Sequence, residues 1–388
     1  MKKILIRTGY MGLGAIEQLT FDIVCGLKNE FKIVLAIENH YNNILVEKLP
    51  KEIEYFYLKS ESYEKNMKEV RKKKKNIFYK LKYNYLLKQE KSICLNKMNN
   101  YIKENGPFDL FVDYDGMAYK YAEKININKK IIWQHTAMSS EKNIQRTEKR
   151  LDKYDKVVLL CDDMRNDFIK LFPKLKDKFQ RIYNFLDIDR MNKMKNDHSE
   201  LLEKEKEMIK GNYCVKIARL DYPKDFDTLI KAFKILKTKG IGEKLYIIGE
   251  GEQRKDLEEK IKNNDLKDTI YLLGRKNNPY IWLNNADIFV HSSKREGFGM
   301  VLVEAMVCDK LVVSSDCMTG PREILKDGEL GELYKVGNHK KLAEILEKYI
   351  KNPNLKDNFI EKSKIRALDF EKKKILEEIE NFFKNEIS

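Results

Sequence analysis

Arg295-Glu296-Gly297-Phe298-Gly299-Met300-Val301-Leu302-Val303-Glu304-Ala305 is the stretch that decides the architecture of this chain. Ahead of it, residues 286–291 (Ala-Asp-Ile-Phe-Val-His) read as a buried strand. Behind it, residues 310–314 (Lys-Leu-Val-Val-Ser) read as the next. A strand, a glycine-bearing loop, a short helix and a strand make one crossover unit of a parallel sheet. Ligands of such sheets sit outside the carboxyl ends of the strands. Gly297 and Gly299 bracket Phe298 where the loop turns into the helix. Glycines allow close backbone approach there, and a helix N-terminus offers free N–H groups to an anion. Glu296 falls in the loop and Glu304 one to two turns into the helix. Both carboxylates can face one pocket, with a phosphate-sized anion between them.

Working upstream, residues 217–233 (Ile-Ala-Arg-Leu-Asp-Tyr-Pro-Lys-Asp-Phe-Asp-Thr-Leu-Ile-Lys-Ala-Phe) read as strand, loop and amphipathic helix. Phe226, Leu229, Ile230 and Phe233 recur at helical spacing and predict a core face. Arg219 and Lys224 fall in the loop. A diphosphate needs two fixed cations, and Arg supplies a planar fork while Lys supplies a point charge.

The spacing of Glu296 and Glu304, with these strings upstream in order, resembles retaining GT-B glycosyltransferases of the group 1, or family four, type, which serve bacterial polysaccharide and lipopolysaccharide biosynthesis. The resemblance covers about residues 213–335 and is weaker over the N-terminal half. It implies that Glu296 contacts hydroxyls of the donor sugar and Glu304 the nucleotide ribose, and that Arg219 and Lys224 hold the donor diphosphate. Residues 244–252, a strand ending in Gly249-Glu250-Gly251, resemble the segment near the nucleotide base. Leu273-Gly274-Arg275 is similar to a loop lining the nucleotide pocket, and residues 317–323 to the turn that closes it. Gly249, Gly274, Gly297, Phe298 and Gly299 thereby join the expected donor-binding set.

A chain of 388 residues with 42% hydrophobic residues is long enough for two domains. Apolar runs at 4–6, 33–37, 110–112, 131–133 and 157–160 alternate with helical stretches, which predicts an α/β domain with a mainly parallel sheet. The expected division is 1–184, an N-terminal Rossmann-like acceptor domain; 185–212, a charged linker; 213–365, the nucleotide-sugar domain; and 366–388, a final helix. The resemblance implies the GT-B fold: two Rossmann-like domains facing a central cleft, with that helix crossing back to the first domain.

Gly12-Leu13-Gly14 follows the first strand and precedes a helix expected at 15–27. A dinucleotide fingerprint needs a third glycine at 17, where Glu17 stands, so a Rossmann dehydrogenase is disfavoured. The resemblance implies that Gly12 and Gly14 lie under the donor diphosphate. It also places His135, just past the strand at 131–133, near the donor sugar, with a role in positioning the donor or polarising a hydroxyl. Asp113-Tyr114-Asp115 has a spacing used for metals in another glycosyltransferase architecture, but two carboxylates alone do not define a site. Asp115 is left as a candidate for the acceptor side.

The formal net charge of +15 calls for an anionic partner. Residues 71–91 carry nine Lys or Arg against one Glu, interleaved with Phe78, Tyr79, Tyr83 and Tyr85. On a helix this pattern fits an anionic membrane surface. No apolar run approaches the roughly 20 residues of a spanning helix. Six cysteines without a CxxC pair and five scattered histidines fit a reduced, zinc-free, cytoplasmic protein, peripheral on the inner face of the membrane if bound there.

These features lead to one expected activity: metal-independent, retaining transfer from a nucleotide-diphosphate sugar, UDP ahead of GDP, to a glycan or lipid-linked acceptor. No cofactor and no nucleic acid are expected. The sugar, hexose or N-acetylhexosamine, stays open. The alternatives are a GT-B-fold epimerase acting on a UDP-sugar and a non-catalytic anion- or nucleic-acid-binding protein.

Overall fold

The computed structural model describes residues 1–137 and 143–388. It divides into two compact units, Met1–Tyr183 with Ile375–Ser388, and Asn184–Lys374. The first unit holds a seven-stranded sheet of β1 (Lys3–Thr8), β2 (Lys32–Ile37), β3 (Glu54–Tyr57), β4 (Leu110–Asp113), β5 (Lys129–Gln134), β6 (Lys156–Leu159) and β7 (Phe179–Arg181), in the order β3-β2-β1-β4-β5-β6-β7. Every pairing is parallel. Ile4 lies between Ile33 and Leu110, so the apolar runs stack in register and bury both faces of the sheet centre. The edge strands β3 and β7 are absent from the sequence expectation. β3 is partly exposed along its whole length and so lacks the apolar run that marks the central strands.

The second unit holds a six-stranded parallel sheet of β8 (Tyr213–Ile217), β9 (Lys244–Ile248), β10 (Ile270–Gly274), β11 (Ile288–His291), β12 (Leu311–Ser315) and β13 (Glu332–Tyr334), in the order β10-β9-β8-β11-β12-β13. Phe226, Leu229, Ile230 and Phe233 are buried in its core on the helix Phe226–Thr238. Strand order reverses between β1 and β4 in one sheet and between β8 and β11 in the other. Both are the switch points at which open parallel sheets take ligands.

Residues 185–212, read as a linker, fold in the second unit, with short helices at Ile188–Met194 and Glu203–Met208. The chain rejoins the first unit at Ile375. There Leu376 packs at Gly26, Phe383 meets Phe31 and Trp133 edge-on, and Glu386 pairs with Lys129. The basic stretch 71–91 is not one helix. Helix Glu61–Lys72 ends, Asn76 caps the next, and helix Ile77–Glu104 follows. Ile77, Phe78, Leu81 and Tyr85 stand exposed on it. No helix among the described residues is long and apolar enough to cross a membrane.

Candidate functional site

In the second unit Glu296 follows β11 and Lys224 follows β8, so the switch point brings them together. Lys224 Nζ lies 2.6 Å from Glu296 Oε1. The same oxygen accepts from Ser293 Oγ at 2.5 Å and faces His291 Nε2 at 3.0 Å. Burial by itself would raise the Glu296 carboxyl. The hydrogen bond from His291 and the Lys224 ammonium outweigh it and hold the group well below the usual carboxylate range. Burial pushes the His291 imidazole down, toward the neutral form. Facing a carboxylate that can only accept, Nε2 carries the proton, and Nδ1 meets Ser314 Oγ at 2.9 Å. The loop is anchored from behind, where Thr319 Oγ1 donates to the Glu296 carbonyl at 2.7 Å.

Glu304 lies in the helix Met300–Val307, whose N-cap Gly299 has φ 98°, a left-handed conformation that favours glycine. Its carboxyl has no ion-pair partner among the described residues, and burial raises it to about 7. Glu304 in turn is the main influence pushing the Tyr280 phenol up, ahead of burial. The Phe298 ring is buried against Phe370, with centroids 5.4 Å apart, so this side chain serves packing and only its backbone is available to a ligand. Gly297 is half-buried in the same loop.

Arg219 departs from the expected arrangement. Its side chain is 82% exposed and pairs with Asp221 at 2.9 Å, so this structure does not place it beside Glu296 as it does Lys224. Gly249 has a structural reason of its own: a Cβ there would collide with the Ala218 carbonyl, because the exits of β8 and β9 pass so closely. Gly274 ends β10, with φ 74°.

Three residues of this site escaped the sequence reading: His291, Ser293 and Lys216. Lys216 is the instructive one. It lies in the middle of β8, 1% exposed, with Nζ 3.0 Å from Ser292 Oγ and 5.1 Å from the centre of the Phe226 ring. Ser292 Oγ in turn reaches the carbonyls of Lys224 and Asp225, both at 3.1 Å. Burial first, then the neighbouring Lys224, lowers the Lys216 amine to about 7. A lysine interrupting the run Tyr-Cys-Val-Lys-Ile-Ala was the available signal.

At the switch point of the first unit, Arg7 from β1 is 1% exposed and pairs with Glu38, Asp115 and, at 3.6 Å, Asp113. Asp113 Oδ2 accepts from Tyr154 Oη at 2.6 Å and from the Ala118 N–H at 2.9 Å. Both carboxylates of the Asp-Tyr-Asp motif are therefore engaged by Arg7. No group of three or more His, Cys, Asp or Glu placed to hold a metal occurs among the described residues. His135 Nε2 lies 2.6 Å from the Tyr114 carbonyl, which fixes the proton on Nε2 and leaves Nδ1 as an acceptor. Burial lowers this imidazole to about 4. Gly14 caps the helix Ala15–Leu27, and the Glu17 carboxylate folds back against it. An acidic group thus already stands at the helix N-terminus where a diphosphate was expected. Gly12 packs against Asn42.

Two parallel-sheet, Rossmann-like units are the architecture of the GT-B fold. Residues 197–366 match the family model described as Glycosyl transferases group 1. This region belongs to that family. Among curated proteins, the chain is 32% identical over 209 residues to the N-acetylgalactosamine-N,N'-diacetylbacillosaminyl-diphospho-undecaprenol 4-alpha-N-acetylgalactosaminyltransferase of Campylobacter jejuni, covering 54% of this chain and 54% of that one. It is 26% identical over 313 residues to an uncharacterized glycosyltransferase of Haemophilus influenzae, covering 78% and 84%. The chain thus spans about half the length of the Campylobacter relative. Among solved structures, the Anabaena protein HepE in complex with UDP and glucose superimposes with a TM-score of 0.77 over 99% of this chain and 100% of that one, at 17% identity.

Proposed function

We propose that the protein transfers a sugar, with retention of anomeric configuration, from a UDP-sugar to a glycan or lipid-linked acceptor in cell-surface polysaccharide biosynthesis. The observation that carries this reading is the Glu296 carboxylate, held ionised by Lys224, His291 and Ser293 at the switch point of the second sheet. The difficult step in such a transfer is departure of an anionic diphosphate from the anomeric carbon. Charge grows on the leaving phosphate, and fixed donors aimed at it lower the barrier. Lys224 and the free N–H groups at the start of the helix Met300–Val307 are such donors. Arg219, exposed on its loop, reaches the diphosphate by a change of rotamer.

Glu296 orients hydroxyls of the donor sugar, and Glu304 receives the ribose hydroxyls. His135 offers Nδ1 to a sugar hydroxyl. The leaving phosphate takes the acceptor proton as the acceptor attacks on the face it leaves. No metal is assigned a part. The UDP named with HepE and the diphospho-undecaprenol in the Campylobacter relative's name support a UDP donor and a lipid-diphosphate-linked acceptor. An anionic membrane surface fits the nine cations of residues 71–91 beside the exposed Ile77, Phe78, Leu81 and Tyr85. Replacing residues 72–75 with Ser is expected to reduce sedimentation with anionic liposomes, and unchanged sedimentation removes the membrane from this reading.

The deciding experiment is calorimetry of the purified protein with UDP and GDP in the presence of EDTA, followed by turnover of UDP-sugars. UDP is expected to bind, and Lys224→Ala to bind it at least about tenfold more weakly. Glu296→Gln is expected to keep UDP affinity and lose about hundredfold or more in kcat. Wild-type behaviour of both variants would overturn the assignment of the site.

A further inference from the structure

The donor chemistry makes no use of Lys216, although its setting is unusual. Side chains alternate along a strand, so Lys216 shares with Cys214 the face of β8 that packs on Phe226 and Leu229 of the helix Phe226–Thr238. It is buried there. An ammonium has three hydrogens to place. Nζ meets one hydrogen-bonding oxygen, Ser292 Oγ at 3.0 Å, and otherwise the Phe226 ring at 5.1 Å. Ser292 Oγ accepts this bond, because its own hydrogen goes to the carbonyl of Lys224 or of Asp225, each 3.1 Å away. A buried amine with one neutral partner suits the uncharged form.

Lys224 and Asp225 bear on this amine from the segment ahead of that helix, Glu296 from the loop after β11, Cys317 from the segment after β12, and His291 from β11 itself. The acids are engaged elsewhere: Glu296 by Lys224 at 2.6 Å, and Asp225 by Thr228 Oγ1 at 2.7 Å and Lys294 at 3.9 Å. Among the described residues no carboxylate lies within ion-pair distance of Lys216. Burial first, and Lys224 second, lower the amine to about 7. A diphosphate at the switch point changes this balance. It draws the Lys224 ammonium from Glu296 to itself and adds negative charge of its own, and each change favours a charged Lys216. Asp225 holds φ 45°, a left-handed conformation that a side chain disfavours, and the Ser292 bond to its carbonyl steadies it. A charge on Lys216 strengthens the bond that holds Ser292 in place.

We propose that Lys216 is a positioning residue of the donor site: it takes up a proton when the diphosphate binds and, so charged, fixes the turn at Lys224 and Asp225 through Ser292. The proposal rests on the donor reading above and adds to it a linked proton. The balance is simple. Nζ gains a proton, the buffer loses one, and no covalent bond of the donor changes. Lys216 acts from behind the turn and does not touch the donor.

The test is calorimetry of the full chain with UDP at pH 8 in HEPES and in Tris, two buffers whose own heats of ionisation differ. The terminal phosphate of UDP is already ionised there, its second pKa being near about 6. The difference in heat is expected to correspond to uptake of roughly one half to one proton per UDP bound. From pH 7.5 to 9 the wild-type affinity for UDP is expected to fall about fivefold or more, because the complex holds a proton that the free protein has lost. Lys216→Met removes the amine, and Lys216→Gln keeps a donor for Ser292 without a charge. Both are expected to give equal heats in the two buffers and an affinity constant within about twofold over the same range. The groups of UDP itself titrate alike in every arm, and a lysine that only filled space would leave both readouts unmoved. Circular dichroism checks the fold of the variants. Equal wild-type heats in the two buffers, or an uptake that survives in both variants, would overturn the proposal and leave the donor reading standing. If only GDP binds, the same titrations run with GDP decide it. If neither nucleotide binds, the donor reading falls and the linked proton falls with it.

Discussion

Each sheet places a charge cluster where its strand order reverses, but the two clusters have opposite centres. In the first unit a cation, Arg7, is surrounded by the acids Glu38, Asp113 and Asp115. In the second an anion, Glu296, is surrounded by the donors Lys224, His291 and Ser293. The depth differs as well. Arg7 is 1% exposed and Glu296 11%, while their partners are about equally open, Glu38 and Asp115 at 17% and Lys224 at 20%. The comparison separates a cluster whose central cation is sealed among strands from one whose central carboxylate stays partly open. A polar cluster at a switch point is therefore insufficient to mark chemistry; access and the sign of the charge it presents decide what it can bind.

The largest effect expected from breaking this comparison lies at Arg7. Arg7→Met leaves three carboxylates around an apolar side chain, and removing one partner of a buried ion pair costs about 3–5 kcal/mol. Urea unfolding near neutral pH measures it. Burial first, against the pull of Arg7, already raises the Asp113 carboxyl. A raised acid favours the folded state when protonated, so its burden grows as pH rises from the ordinary value of 3.8 toward the folded value and is relieved as pH falls back to 3.8. Acidification is therefore expected to recover part of the loss in the variant. A loss under about 1 kcal/mol at neutral pH would mean that the first cluster is no structural tie.

Glu296→Gln sharpens the contrast from the other side, with a large effect on kcat but only about 1–3 kcal/mol on stability. The depressed Glu296 carboxyl contributes stability that is complete above its ordinary value of 4.5 and is lost as pH falls from there toward the folded value. The gap between wild type and variant should thus be constant from pH 6 to 8 and close only in acid. A gap that already narrows at pH 6 would place the carboxyl outside the grip of Lys224 and His291.

The same comparison explains what was legible in the sequence. The second site is compact in the chain: Glu296 and Glu304 lie in one string and Lys224 in another, each with its strand and helix attached, so both spacing and context could be read. The first cluster draws Arg7, Glu38, Asp113 and Asp115 from the ends of three strands, and no local spacing announces it. Asp113 and Asp115 were noticed, but their engagement by Arg7 depends on β1 and β4 lying side by side. Gly12 and Gly14 were read as lying under the donor diphosphate, while the carboxylate that covers Gly14 belongs to Glu17, which had been read only as a missing glycine. Arg219 fell in the expected loop, but side-chain direction on a loop follows from no pattern. Residues 185–212 looked like a linker because their charge density hides the two short helices that belong to the second unit.

Lys216 carries the smallest net change and probes the interior of the second cluster most directly. Its amine, lowered to about 7 by burial and then by Lys224, with Glu296, Asp225 and Cys317 acting in the opposite sense, is neutral in the folded protein at alkaline pH and protonated in the unfolded chain up to its ordinary 10.5. Between those values the unfolded state binds the extra proton, so wild-type stability rises with pH across that window. Lys216→Met fills the same space without a titrating group. Near pH 9.5 the variant is expected within about 1 kcal/mol of wild type. Toward pH 7 it should pull ahead, because only the wild type bears the cost of burying or deprotonating an ammonium. Thermal unfolding at pH 7, 8 and 9.5 measures the crossing. Donor affinity supplies a second readout: Ser292, freed of Lys216, holds the Lys224 and Asp225 carbonyls less firmly, and UDP binding should weaken even where stability improves. Parallel stability profiles would show that Lys216 stays charged in the fold. The second cluster would then hold two buried cations against Glu296, and its contrast with the first, centred on Arg7, would need a different physical basis.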